Sequence, residues 1–70
     1  MPSKNLGEIV RELREAKGLT QAQLAERAQI ALSYVTVIEA GQQGKPSPQI
    51  IQRLARALDV AAKRLLEPDA

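Results

Sequence analysis

Catalysis by a protein needs a nucleophile, an acid–base group or a bound metal, and this chain offers little of any. It contains no Cys and no His, which removes thiolate chemistry, disulfides and the two commonest zinc ligands. Eight Asp and Glu are present, but none clusters in sequence with a metal ligand or a nucleophile. Neither an enzyme nor a cofactor or metal is expected. GKPS at residues 44–47 looks like the end of a phosphate loop, yet no Gly stands five residues before Gly44 and no strand precedes it. The chemistry that remains is hydrogen bonding and apolar contact. It concentrates in IALSYVTVIEAG, residues 30–41, where the hydroxyls of Ser33, Tyr34 and Thr36 sit among methyl-bearing side chains with no Lys or Arg. The nearest positive charges are Arg27 and Lys45.

Seventy residues make one domain, near the lower size at which a core of Leu, Ile, Val and Ala holds a fold unaided. Tyr34 is the only aromatic residue, so large-ring stacking on exposed bases is not available. The net charge of +2 and a pI near 9.4 permit a polyanion partner without demanding one. Distribution says more. Residues 1–28 carry five positive and four negative charges, residues 29–44 only Glu39, and residues 45–70 five positive and three negative. No apolar stretch approaches the ~20 residues needed to span a bilayer, and MPSKNLGEIV lacks the apolar centre of a signal peptide. A soluble cytoplasmic protein without membrane contact is expected.

Helical spacing organises the chain. Leu6, Ile9, Val10, Leu13 and Ala16 predict a first helix over about residues 5–16, stopped by Gly18. Thr20 stands three residues before Gln23, the spacing of a capping box, and Leu24, Ala25 and Ala28 supply the inner stripe of a short second helix. A tight turn at 29–31 leads to a third helix that buries Val35 and Ile38 and ends at Gly41. After the loop GQQGKPSP, Ser47 and Pro48 start a fourth helix, lined inside by Ile50, Ile51, Leu54, Ala55 and Leu58. Asp59 is the expected cap of a last short helix, with Val60, Leu65 and Leu66 packing back. Five helices with brief connections leave no room for a sheet, and the fold class is all-α.

Within this frame LTQAQLAERAQIALSYVTVIEAG, residues 19–41, resembles the helix-turn-helix of the phage repressor/Cro-like (XRE) DNA-binding family. That family shows Leu-Thr-Gln-x-x-Leu-Ala, a turn, and then Ser-Tyr-hydrophobic-Ser/Thr-x-Ile-Glu-x-Gly. The matching residues here are Leu19, Thr20, Gln21, Leu24, Ala25, Ser33, Tyr34, Val35, Thr36, Ile38, Glu39 and Gly41. Pro46 and Ser47 before helix four, and ALDV at 57–60 with Leu65 and Leu66 after it, extend the similarity across residues 6–66. The resemblance implies one helix-turn-helix domain over residues 1–70, with its core at about 5–66 and the motif at 20–40. Two short helices joined by a three-residue turn lie across one another, and Ala25 is small where they must approach. The second then projects its outer face, on a cylinder about 10–12 Å wide, toward a DNA major groove of similar width.

What the resemblance implies for function is a sequence-specific regulator of transcription that binds double-stranded DNA. It would act as a homodimer on a partly palindromic site, with half-sites about one helical turn apart. Leu32, Ser33, Thr36 and Val37 would face base edges. Gln21, Tyr34, Gln42, Gln43 and Lys45 would face phosphates, and Arg14 and Glu39 would form an ion pair that fixes the angle of helix three. Dimer contacts are implied for the loop after helix three and the last helix, through exposed parts of Leu58, Leu65, Leu66 or Pro68. Arg53, Arg56, Lys63 and Arg64 read as a solvated face.

The chain departs from the family pattern on helix three. Family members usually carry Gln, Arg, Asn, Lys, Ser or Thr on the outer face, whereas Leu32, Val37 and Ala40 are apolar here. Ala31 stands where a Ser or Thr cap is usual, and Gln29 where the turn often has Gly. Three readings of this face follow. Leu32 and Val37 pack on thymine methyls while Ser33 and Thr36 donate to bases or phosphates; or affinity comes from the flanks and specificity partly from DNA shape. In the third, the fold serves as a protein-interaction module, antitoxin-like or adaptor, and the face meets another polypeptide.

Overall fold

The structure, a computed structural model, describes residues 5–42 and 46–66. Five helices follow one another: α1 (Leu6–Ala16), α2 (Gln21–Ala28), α3 (Leu32–Glu39), α4 (Pro48–Ala57) and α5 (Ala62–Leu66). No strand occurs among the described residues. The all-α, five-helix class read from the sequence holds.

The helix starts are set by side chains that satisfy free backbone N–H groups. Asn5 Oδ1 accepts from the Glu8 amide at 2.9 Å, so Asn5 is the cap and α1 starts at Leu6, within one residue of the expected span of about 5–16. Thr20 Oγ1 accepts from the Gln23 amide at 3.0 Å while Gln23 Oε1 accepts from the Thr20 amide at 2.9 Å, completing the expected capping box. Ser47 Oγ accepts from the Ile50 amide at 3.3 Å, with Pro48 as the first residue of α4. Only α3, among these four, opens without such help, because Ala31 has nothing to accept with. Ala31→Ser should stabilise the domain by about 1 kcal/mol, read as a raised denaturant midpoint at unchanged slope. An unchanged or lower midpoint would show that this start is satisfied in another way.

The core runs through all five helices. Val10, Leu24, Val35, Ile51, Leu54 and Leu58 are fully enclosed. α2 packs on α3 and α4, α1 on α3 and α5, and α4 on α5, so α3 is held from two sides while its outer face is left open. Gly7 is the reason α1 comes so near. A Cβ there would drive into the Ile38 carbonyl oxygen and stand 3.0 Å from that of Glu39.

Several expectations need correction. Asp59 does not cap α5. It takes a left-handed conformation (φ 59°) just after α4 and donates its amide to the Arg56 carbonyl at 3.1 Å, which ends that helix. Leu66 is 47% exposed, whereas Leu58 and Leu65 are buried in the monomer's own core. Of the leucines considered for a dimer contact, only Leu66 has apolar surface to offer. Pro68 lies outside the described residues.

Candidate nucleic-acid interface

α3 divides cleanly by burial. Val35 and Ile38 face the core, while Leu32, Ser33, Thr36 and Ala40 are exposed. Val37 is half-buried rather than fully outward, and the ring of Tyr34 packs against the core while remaining partly accessible. The outer face is therefore a short ridge with Leu32 at its N-terminal end, 48% exposed, and two hydroxyls beside it.

A polar network fixes this ridge from behind. Arg14 Nε donates to Glu39 Oε2 at 2.7 Å and Nη2 donates to Oε1 at 3.1 Å, so the guanidinium grips the carboxylate with two hydrogen bonds. The remaining nitrogen, Nη1, donates to the Leu19 carbonyl at 2.7 Å, just ahead of the capping box of α2. The side chains are 12% and 4% exposed, so the implied ion pair is present and largely enclosed. The hydrogen bond to Glu39 raises the Arg14 pKa above its ordinary value, helped by the nearby carboxylate charges and opposed by burial. A raised folded-state value for a cation means its contribution is complete below the unfolded pKa and fades only as pH climbs through the raised one. The clamp therefore operates throughout neutral pH.

Gln21 belongs to the same network. Its Nε2 donates to Glu39 Oε1 at 3.1 Å, and its Oε1 accepts from the Thr36 hydroxyl at 3.1 Å. Sequence reasoning assigned Gln21 to a phosphate and did not foresee that it bridges α2 to α3. The residue is half-buried, so part of it remains open. A second bridge was missed too: Arg53, read as solvated, donates from Nη1 to the Gln29 carbonyl at 3.1 Å. Gln29 is the left-handed residue of the helix-turn-helix turn (φ 59°), so α4 braces that turn. Helical spacing alone gave no signal for this contact, because its partner is a backbone carbonyl on another element.

Gln42 is exposed and its amide donates to the Val37 carbonyl at 3.1 Å, which continues the chain off the end of α3. Gln43 and Lys45, the other loop residues expected near phosphates, lie outside the described residues, as does Gly44. No helix of the described residues is long and apolar enough to cross a membrane.

The helix-turn-helix domain family profile matches residues 5–67. This chain belongs to that family. Among curated helix-turn-helix proteins, it is 36% identical over 62 residues to the transcriptional regulator SinR of Bacillus subtilis (strain 168), covering 89% of this chain and 56% of SinR. The chain spans about half the length of the curated relatives it matches. Among solved helix-turn-helix structures, the restriction-modification controller protein C.AhdI from Aeromonas hydrophila superimposes with a TM-score of 0.81 at 43% identity, over 86% of this chain and 89% of that one. SinR in complex with DNA gives 0.85 at 35% identity, over 89% and 98%. The repressor/Cro-like resemblance read from residues 19–41 is thereby established for fold and family.

Proposed function

We propose that the chain binds double-stranded DNA sequence-specifically and regulates transcription, with α3 in the major groove. The carrying observation is the two-sided anchoring of α3. Arg14 and Gln21 hold Glu39 from behind, and the exposed side of α3 presents Leu32, Ser33 and Thr36, the last also tied to Gln21. A helix that must present side chains to base edges within a few tenths of an ångström gains from such a mount. Its similarity to a domain solved with DNA supports the same reading.

In this reading Leu32 and Val37 meet thymine methyls, and Ser33 and Thr36 lie against base edges. Tyr34, Gln42, Gln43 and Lys45 face the sugar-phosphate chain, Lys45 as the cation among them. Gln21 keeps a phosphate contact only through the part of its side chain not engaged with Thr36 and Glu39. The 70 residues act as one domain in the cytoplasm, as a homodimer on a pseudo-palindromic site, without catalytic activity. The exposure of Leu32 and Leu66 favours a second reading, a protein-interaction module with little DNA readout.

Selection from random duplexes, followed by binding at several salt concentrations, separates the two. One enriched motif and a falling log affinity against log salt are expected for a DNA reader. No motif and a flat salt response would leave the protein partner as the better account. Leu32→Asp sharpens the test, because Leu32 is the first residue of α3 and an acid there suits the positive end of the helix. The variant should melt near the parent yet bind the selected duplex about 10–100-fold more weakly. Undiminished affinity would remove Leu32 from the interface.

A further inference from the structure

The hydrogen-bond directions in the network behind α3 determine what Thr36 can offer to a ligand. Glu39, gripped by Arg14, is a carboxylate and can only accept. The Gln21 atom 3.1 Å from it must therefore be the amide nitrogen. That choice turns the amide oxygen of Gln21 toward Thr36, and an amide oxygen also only accepts. The Thr36 hydroxyl consequently donates inward, at 3.1 Å. Its other near neighbour, the Leu32 carbonyl at 3.1 Å, is likewise an acceptor. One hydroxyl proton faces two internal acceptors, and none is left to point outward.

Thr36 is exposed all the same. What it presents to an approaching ligand is an oxygen lone pair beside a methyl group. In the major groove guanine shows only acceptors, cytosine a donor without a methyl, and an A·T pair both the adenine N6 amino donor and the thymine C5-methyl. We propose that Thr36 reads an A·T pair as a hydrogen-bond acceptor, Oγ1 accepting from adenine N6 while its methyl packs on the thymine methyl. This rests on the DNA-binding reading above and replaces the expectation that Thr36 donates to bases. Arg14, Glu39 and Gln21 are the positioning residues that set the polarity.

The test uses the full chain and its selected duplex, with base analogues placed one at a time. 2-Aminopurine in place of adenine removes the N6 amino group from the major groove, and deoxyuridine in place of thymine removes the methyl. At one A·T pair per half-site the parent should lose about fivefold in affinity on 2-aminopurine substitution, the worth of one net hydrogen bond. Thr36→Val, which keeps the methyl and loses the oxygen, should abolish that penalty and retain the deoxyuridine one. Thr36→Ser should do the reverse. Both variants alter an exposed side chain, and equal thermal melting checks that they fold.

If a motif is enriched but no A·T pair shows this exchange of penalties, the acceptor assignment is wrong while DNA binding stands. A guanine selected at the position that responds to Thr36→Val would mean that the hydroxyl proton points outward, which also overturns it. A failure to enrich any motif removes the DNA reading and the assignment together.

Discussion

Gly7→Ala is expected to destabilise the domain by about 1–3 kcal/mol, the range for overpacking a tight interior, although the same change at an open helix position gains close to 1 kcal/mol. The sign reverses because of what lies opposite. The added methyl meets the Ile38 carbonyl oxygen and stands 3.0 Å and 3.2 Å from the Glu39 carbonyl oxygen and carbon. These are backbone atoms of α3, so no rotamer change makes room and the two helices must separate. Separation also lengthens the Arg14–Glu39 contact, since Glu39 carries both features. Chemical denaturation measures the loss, and DNA affinity at a temperature where the variant remains folded should fall with it. A variant as stable as the parent would show that α1 and α3 do not approach as described.

Glu39→Ala should cost more. It leaves the Arg14 guanidinium, 12% exposed, with the Leu19 carbonyl as its remaining hydrogen-bond partner and only the exposed Glu15 carboxylate, 3.9 Å away, as counter-charge, and deprives Gln21 of the acceptor that orients it. Breaking one side of a buried pair costs about 3–5 kcal/mol, comparable to the whole stability a core of this size supplies, about 3–5 kcal/mol. The variant is expected to be largely unfolded at 37 °C by circular dichroism. Arg14→Met combined with Glu39→Met should recover most of the loss, because an apolar pair of similar volume removes the stranded charge. If the double variant were as unstable as Glu39→Ala, the pair would be contributing net attraction beyond compensating for its own desolvation.

Much of the fold was legible because it rests on local rules. The Thr20–Gln23 capping box, the Ser47–Pro48 helix start and the buried stripe of Leu24, Ala25 and Ala28 all depend on residues within a turn or two of each other. The Arg14–Glu39 pair, 25 residues apart, was reached only through family resemblance. Gly7 was passed over because a glycine inside a helix pattern signals nothing until the opposing backbone is known. Asp59 misled, since a residue able to cap the next helix can equally end the previous one in a left-handed turn. The direction of the Thr36 hydroxyl lies furthest from the sequence. It is settled by a relay through three other side chains on α1, α2 and α3.

The only Asp, Glu, Lys or Arg within α3 is Glu39, and Arg14 neutralises it on the inward side. On the DNA-binding reading, the general grip on any duplex and the choice among duplexes then reside in different parts of the molecule. Exchanging Leu32, Ser33 or Thr36 for other uncharged residues would redirect the protein to new operators while its hold on bulk chromosome stayed constant. Such a chain could diversify its targets through single substitutions, each variant searching the genome at the pace of its ancestor.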